Sequence, residues 1–185
     1  MSEQGAAERE ELVVLVDDAD APVGTAPKLD AHRSGALHRA MSVFVTDGNG
    51  NLLLQQRAAG KYHSPRLWTN TCCGHPRPGE GTSDAAARRL QEEMGIRCRL
   101  EHAGTFRYHA PLDGGLIEHE IDHVFVGRWR GRPSPDPAEV GGWRWVAVET
   151  LRADLAAHPE LYTAWLRPAL EVVVGHPVLG QPLRG

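Results

Sequence analysis

The sequence predicts an α+β domain built on a mixed β-sheet flanked by helices. Three observations carry that prediction. Short apolar segments alternate with period two, as half-buried strands do, and the clearest, Ala40 to Thr46 (AMSVFVT), runs into the turn signal Asp47-Gly48-Asn49-Gly50. A helical segment, DAAARRLQEEM, stands alone in mid-chain between a Gly/Pro-rich loop and Gly95. Strands and helices also follow one another without a regular βαβ repeat, which argues against a doubly wound parallel sheet.

Taken in order, Leu12 to Val16 is an apolar run closed by Asp17-Asp18, a buried strand and a turn, and Val23 to Ala26 is a short second strand. Ala40 to Thr46 and Leu52 to Gln56 flank the Gly-rich turn and predict a β-hairpin. A polar loop from Ala58 to Pro65 precedes the segment Leu67 to Cys73, and a second loop reaches Gly81. Thr82 or Ser83 is placed to cap the mid-chain helix, and Gly95 to end it as the residue that turns left-handed. Arg97 to Tyr108, ending near Phe106, reads as a strand, as do Ile121 to Trp129 and Trp143 to Val148. Thr150 to His158 and Tyr162 to Val174, each bounded by proline, read as helices. Residues 1–10 read as a disordered leader and 11–185 as one domain, with no internal repeat.

Composition excludes several classes. The 20 Lys and Arg against 24 Asp and Glu leave a net charge of −4 with the histidines neutral, not the basic balance of a nucleic-acid binder. No apolar run approaches the ~18 residues of a membrane span. The acidic start MSEQGAAEREE has neither the pattern of a signal peptide nor that of a transit peptide. Three cysteines, two of them adjacent, make no disulfide framework, so free thiols in a reducing cytoplasm are the expectation. Apolar residues form 41% of the chain, enough for a core.

Chemistry concentrates around the mid-chain helix. A turn, Gly74 to Glu80 (GHPRPGE), feeds a helix ending in the pair Glu92 and Glu93, closed by Gly95. Carboxylates so placed read either as a solvated face or as hard oxygen ligands for Mg²⁺. The full spacing resembles the Nudix box, Gly-x5-Glu-x7-Arg-Glu-U-x-Glu-Glu-x-Gly-U, where U is aliphatic. Gly74, Glu80, Arg88, Leu90, Glu92, Glu93, Gly95 and Ile96 fall in place, and Arg89 stands where Nudix hydrolases carry glutamate. A guanidinium there lowers the site's appetite for divalent ions and offers a forked phosphate donor.

Directly upstream, TNTCCGHP (Thr69 to Pro76) joined to this altered box resembles type I isopentenyl-diphosphate isomerases, whose pattern is TN-x-x-CGHP. The resemblance implies a Nudix-like fold and makes Cys73 catalytic; Cys72, its neighbour, points away if the segment is extended. The family also carries arginine at the position of Arg89. Lys28 to His32, Leu37-His38, Gln56-Arg57-Ala58 with Lys61, Phe106 to Tyr108 and Glu118 to Glu120 resemble further family segments, from about Leu12 to the region of Trp165.

What the resemblance implies about the site follows. His32, His38, His75, Glu118 and Glu120 match the family's metal ligands; Glu118 and Glu120, two apart in a strand, share a face. Such a nitrogen and oxygen set suits Mn²⁺, Mg²⁺ or Zn²⁺. Cys73 and Glu120 are the acid/base pair, with Tyr108 to relay or orient a proton, and which of the two donates stays open. Lys28, Arg57, Lys61 and Arg89 hold the diphosphate with a second ion, Mg²⁺, linked through Glu93 and the Cys73 backbone. Trp165 faces the cationic intermediate, although its TAW setting departs from the family's SPW. His119 and His123 match no ligand. The implied partner is a small isoprenoid diphosphate, with no nucleic acid or membrane, for a monomer or weak dimer. A Nudix pyrophosphohydrolase would want glutamate at position 89 and no Cys73, His32 or His38; a binding module would be expected to lose Cys73 or Glu120.

Overall fold

The computed structural model describes residues 11–180, so the expected leader over 1–10 lies outside the described residues. The predicted mixed sheet is present. Its central strand is β3 (His38–Thr46), in which every residue but Arg39 is buried. It runs parallel to β8 (Ile117–Arg128), in register from His38 opposite Glu120 to Thr46 opposite Arg128. On its other side β3 pairs with β6 (Cys72–Gly74) and, at its end, with β4 (Asn51–Arg57). The hairpin of β1 (Leu12–Val16) and β2 (Pro22–Pro27) meets β3 where Leu15 faces His38. Beyond β8 lies β7 (Leu100–Pro111), and β4 also carries β5 (Trp68–Thr69) and β9 (Val140–Ala147). Every strand ladder except β3–β8 is antiparallel.

The period-two alternation of β3 sends its side chains into two separate cores. Met41, Val43 and Val45 pack under α2 (Thr82–Met94) with Ala85, Leu90 and Met94. Phe44, on the opposite face, joins Val124, Val126, and residues of α3 (Val148–Ala157) and α4 (Leu166–Val173) such as Leu151 and Leu170. Covered by helices on both faces, this strand is buried on both, not half-buried as the alternation of AMSVFVT predicts. Among the described residues, no helix is long and apolar enough to cross a membrane.

The structure departs from the sequence reading at several places, and the strand expected from Ile121 already begins at Ile117. Pairing in the expected hairpin is confined to Val45–Leu53 and Thr46–Leu52. Beyond these pairs the Thr71 hydroxyl wedges between the strands, accepting from Val45 N at 2.8 Å and donating to Leu53 O at 2.6 Å, and Asn70 Nδ2 donates to Val43 O at 3.2 Å. The TN-x-x segment therefore opens the sheet and seats β6 against β3. Neither Thr82 nor Ser83 caps α2; Gly81 is the N-cap residue, with no side-chain bond, while Gly95 does end the helix at φ +67°. The strand expected to end near Phe106 continues to Pro111, because β8 pairs with it throughout. The helix expected from Tyr162 starts only at Leu166, since Tyr162 is extended and Thr163 is tied to β5 by its N–H to Trp68 O (3.0 Å) and its hydroxyl against Thr69 (2.8 Å). Finally, α1 (Lys28–Ser34) has no counterpart in the sequence reading; it is a seven-residue helix that starts after Pro27 and ends at left-handed Gly35.

Candidate active site

Register assembles the site. On β8, Glu118, Glu120 and Asp122 lie on one face, which further along carries Val124 and Val126 into the α3–α4 core. His38 of β3 and Tyr108 of β7 both stand opposite Glu120, one on each side. Cys73 of β6 stands opposite Ser42, on the same face of β3 as His38, whereas Cys72 stands opposite Val43 and is buried in the other core. The adjacent cysteines thus part company as extended chain requires.

The histidines converge from three elements: His32 from α1, His38 from β3 and His75 from the loop after β6. His32 Nδ1–H donates to Lys28 O at 2.7 Å and His38 Nδ1–H to Ala36 O at 2.8 Å. Those bonds fix both tautomers and aim each Nε2 lone pair inward, the arrangement metal-binding histidines use. His32 Nε2 lies 3.2 Å from Glu118 Oε2, and His38 Nε2 and His75 Nε2 lie 3.2 and 2.9 Å from Glu120 Oε1. His32, His38, His75 and Glu120 present donor atoms all within 4.8 Å of one another, every residue buried. Nε2 of His32 and of His38, with Glu118 Oε2, have no hydrogen-bond partner. Buried polar atoms left so are costly unless something else satisfies them, and a divalent cation does. The donor set fits one.

Electrostatics within the cluster are steep. Burial disfavours charge on His38, but the Glu120 carboxylate 3.2 Å from its Nε2 outweighs it and raises its pKa. Burial also works to raise Glu120, yet His38 and Tyr108, whose hydroxyl donates to Glu120 Oε2 at 2.5 Å, hold that carboxyl down at about 2. Burial and the nearby Glu118 and Glu120 push Tyr108 well above its ordinary value. Burial pushes the Cys73 thiol up to about 12 against the pull of Arg57, so it rests protonated. His75 is driven well below its usual range by burial and by the charges of Lys28 and His38, leaving a neutral imidazole able to act as a ligand.

Cys73, His75, Tyr108, Glu118 and Glu120 line one cavity with Lys28, Arg57, Lys61, Arg89, Glu93 and Trp165. The residues assigned catalytic, metal or diphosphate roles by resemblance are therefore brought to a single place, His32 and His38 joining it as cluster donors, while Glu92, the other carboxylate of the helix pair, lies outside the lining.

A NUDIX domain model matches residues 36–166. Curated proteins bearing the name isopentenyl-diphosphate Delta-isomerase align along most of the chain. The second such protein of Aromatoleum aromaticum is 53% identical over 165 residues, covering 89% of this chain and 87% of its own. That of Burkholderia multivorans is 51% identical over 170 residues, covering 92% and 96%. The chain belongs to the type I isopentenyl-diphosphate isomerase family, within the Nudix superfamily. Solved structures share the fold at lower identity: DR0079 of Deinococcus radiodurans has a TM-score of 0.74 at 23% identity over 87% of this chain and 98% of that one. A MutT Nudix hydrolase of Burkholderia pseudomallei has a TM-score of 0.60 at 22% identity, over 74% and 98%.

Within this isomerase-family chain the altered box has a visible consequence. Arg89 donates to Glu93 Oε1 from Nη2 at 2.7 Å and Nε at 3.1 Å, and to Glu139 Oε2 at 3.2 Å. Lys61 Nζ donates to the same Glu139 oxygen at 2.5 Å, and Gln55 Nε2 to Glu93 Oε2 at 2.7 Å. Glu80 accepts two bonds from Arg88, at 2.7 and 2.8 Å, and Arg88 reaches the His75 carbonyl at 3.4 Å, so the box clamps the loop that carries His75. Trp165 is 2% exposed, and the Arg57 guanidinium lies 5.5 Å from its ring. His119 and His123 lie outside the cavity lining; they bond to Gly35 O with Arg107, and to Asp20, respectively.

Several polar cavity residues escaped the sequence reading, among them Glu11, Ser42, Gln55, Tyr62, His63, Asp122 and Glu139. Asp122 extends the period-two series of Glu118 and Glu120, which could have flagged it; it accepts from the Ser42 hydroxyl at 2.7 Å, and burial beside Glu120 drives its pKa well up. His63 is a single histidine in a polar loop, and burial with the charge on Arg57 pushes it down to about 2.

Proposed function

We propose that this chain interconverts isopentenyl and dimethylallyl diphosphates, the reaction that gives its relatives their name, and so supplies isoprenoid biosynthesis. One observation carries the reading: the buried thiol of Cys73 and the Tyr108–Glu120 pair line the same cavity as the His/Glu cluster and a basic wall. An unactivated alkene reacts only if one carbon gains a proton, giving a tertiary cation, and the neighbouring carbon then loses one. Cys73 and Glu120, on the two strands that flank β3, are the two groups that exchange those protons. Tyr108 holds one oxygen of Glu120, leaving the other toward His38 and His75.

Lys28, Arg57, Lys61 and Arg89 bind the diphosphate; Arg89 and Lys61 exchange their shared hold on Glu139 for phosphate oxygens. Trp165 forms an apolar wall that keeps water from the cation, which would otherwise be captured as an alcohol. A divalent ion, Mn²⁺, Mg²⁺ or Zn²⁺, held by His32, His38, His75, Glu118 and Glu120 would fix the Glu120 carboxylate, and Mg²⁺ at Glu93 and the Cys73 backbone would neutralise diphosphate charge. The same reading makes it a cytoplasmic monomer or weak dimer with no nucleic-acid or membrane partner, in keeping with its mildly acidic charge balance.

The test is product analysis. Purified protein with Mg²⁺ and isopentenyl diphosphate is scored together for acid-labile allylic product and for free phosphate, with Cys73→Ala beside it. Allylic diphosphate from the wild type alone, without phosphate, is the expected result. Phosphate without allylic product would overturn the proposal in favour of a Nudix pyrophosphohydrolase.

A further inference from the structure

A fourth imidazole reaches the His/Glu cluster from an element that carries none of the other three. His63 sits in the loop between β4 and β5, 7% exposed, with Nε2 3.7 Å from Glu118 Oε1. Its ring stacks 5.7 Å from that of His32 and makes edge contacts with Tyr62 at 4.5 Å and Trp165 at 5.9 Å. Nδ1 faces the Ser64 hydroxyl at 3.5 Å, so Nε2 is the end presented to the cluster, as in His32 and His38. His32, His63 and Glu118 form a second set of buried donor atoms, all within 4.8 Å of one another, sharing His32 with the first set.

The loop is built to keep that ring inward. The His63 carbonyl accepts from Arg57 Nη2 at 3.2 Å. Ser64 and Arg66, neither of them glycine, take left-handed conformations with φ +48° and +63°. Such conformations persist where surrounding contacts over-determine them, and they gather at ligand clamps. Glu118 Oε2, the atom nearest His32 Nε2, has no hydrogen-bond partner of its own, so this side of the cluster has an unmet demand as well.

We propose that His63 is a further ligand of the cluster's cation, binding through Nε2 on the Glu118 side, so that the centre offers four imidazoles and two carboxylates. The inference rests on the metal reading given above and adds to it a residue from a different loop. A fourth nitrogen biases the centre away from Mg²⁺, which favours oxygen, toward Zn²⁺ or Co²⁺. It also ties the loop that bears Lys61 to the metal, so that filling the centre would order one part of the diphosphate wall.

The experiment uses the chelator-stripped full chain and Co²⁺ as probe, titrated against a competing chelator, with the visible d–d spectrum and X-ray absorption recorded on each form. Wild type, His63→Ala, His63→Gln and, as a ligand control, Glu118→Gln are compared. The expected result is a ~10- to 100-fold loss of Co²⁺ affinity in both His63 variants, with one fewer imidazole in the absorption fit. Added imidazole should restore the wild-type spectrum in His63→Ala, an effect that mere loss of packing would not give. Unchanged affinity and spectrum in both His63 variants, with Glu118→Gln weakened, would overturn the inference while leaving the centre intact. A wild type that takes up no Co²⁺ would overturn the centre and the inference with it.

Discussion

Replacing Arg89 by methionine, which keeps most of the side chain's length and removes its charge, isolates what the altered Nudix box does. In the wild type one guanidinium binds three carboxylates: Glu93 at 2.7 Å, Glu92 at 3.1 Å and Glu139 at 3.2 Å. Breaking a buried ion pair by removing one partner costs about 3–5 kcal/mol. Three features bring the figure down here. The Glu92 carboxylate is 41% exposed and its pair is worth little. Glu93 keeps its bond from Gln55, and Glu139 keeps Lys61. The guanidinium itself is 19% exposed. The remaining loss is about 2–3 kcal/mol. At about 2–4 °C per kcal/mol for a chain of this size, Tm should fall by roughly 4–12 °C in chelator-containing buffer.

The sign of the Mg²⁺ response is the sharper test. With the guanidinium gone, Glu93 and Glu139 face each other short of positive charge, as the carboxylates of a hydrolase box do, and a divalent cation supplies what is missing. Millimolar Mg²⁺ should therefore raise the Tm of Arg89→Met more than that of the wild type, while an equal ionic strength of NaCl does so less. On the proposal that Arg89 binds the diphosphate, isomerisation should fall sharply in the same variant. Calorimetry with and without Mg²⁺ decides. A Tm unchanged in chelator, or equal Mg²⁺ shifts in the two proteins, would refute the view that Arg89 occupies a cation's place.

Two further expectations concern the frame around the site. Gly95 ends α2 at φ +67°, and a Cβ there would meet Ser134 O at 2.7 Å, so Gly95→Ala should destabilise by more than the ~1–2 kcal/mol of a left-handed residue, read by denaturant unfolding. The Arg88 hydrogen bonds hold the Glu80 carboxyl below its ordinary 4.5. A depressed carboxylate contributes stability that is present above that value and lost as pH falls through the folded pKa. The Tm gap between wild type and Glu80→Gln should accordingly be widest near neutrality and narrow below about pH 4.5; a gap that widens on acidification would contradict it.

How much of this was legible in the sequence depends on whether the signal was local. Cys73, His75 and the box from Glu80 to Ile96 lie within a short continuous stretch, and their spacing alone marked them. His32 was legible only by resemblance, because α1 is short, follows a proline and has no side-chain cap, so nothing in its pattern announces a helix. The start of α4 is not legible because Tyr162 to Trp165 is apolar enough for a helix, and only the distant Trp68 and Thr69 hold Tyr162 and Thr163 out of it. The hairpin was half legible: turn chemistry fixes its tip, while a hydroxyl from Thr71, far along the chain, opens its base. His63 and Glu139 had no local signal, since a histidine or glutamate in a polar loop gains meaning only from what folds against it.

The pairing of β3 with β8 shows why such a polar cluster can exist at all. A one-residue slip in that register would turn His119 and His123 inward and carry Glu118 and Glu120 out of the cavity. The site cannot hold the register itself, because buried imidazoles and carboxylates with unmet polar atoms favour any arrangement that lets water in. The other end of the same face can. Phe44, Val124 and Val126 carry the alternation into the α3–α4 core, where burial of apolar surface rewards only one register. Tyr108 and His38, opposite Glu120 on its two sides, then fall into place as a consequence of packing several residues away. The apolar half of each strand thus stabilises the alignment that its polar half uses, and the polar end is free to be chosen for chemistry.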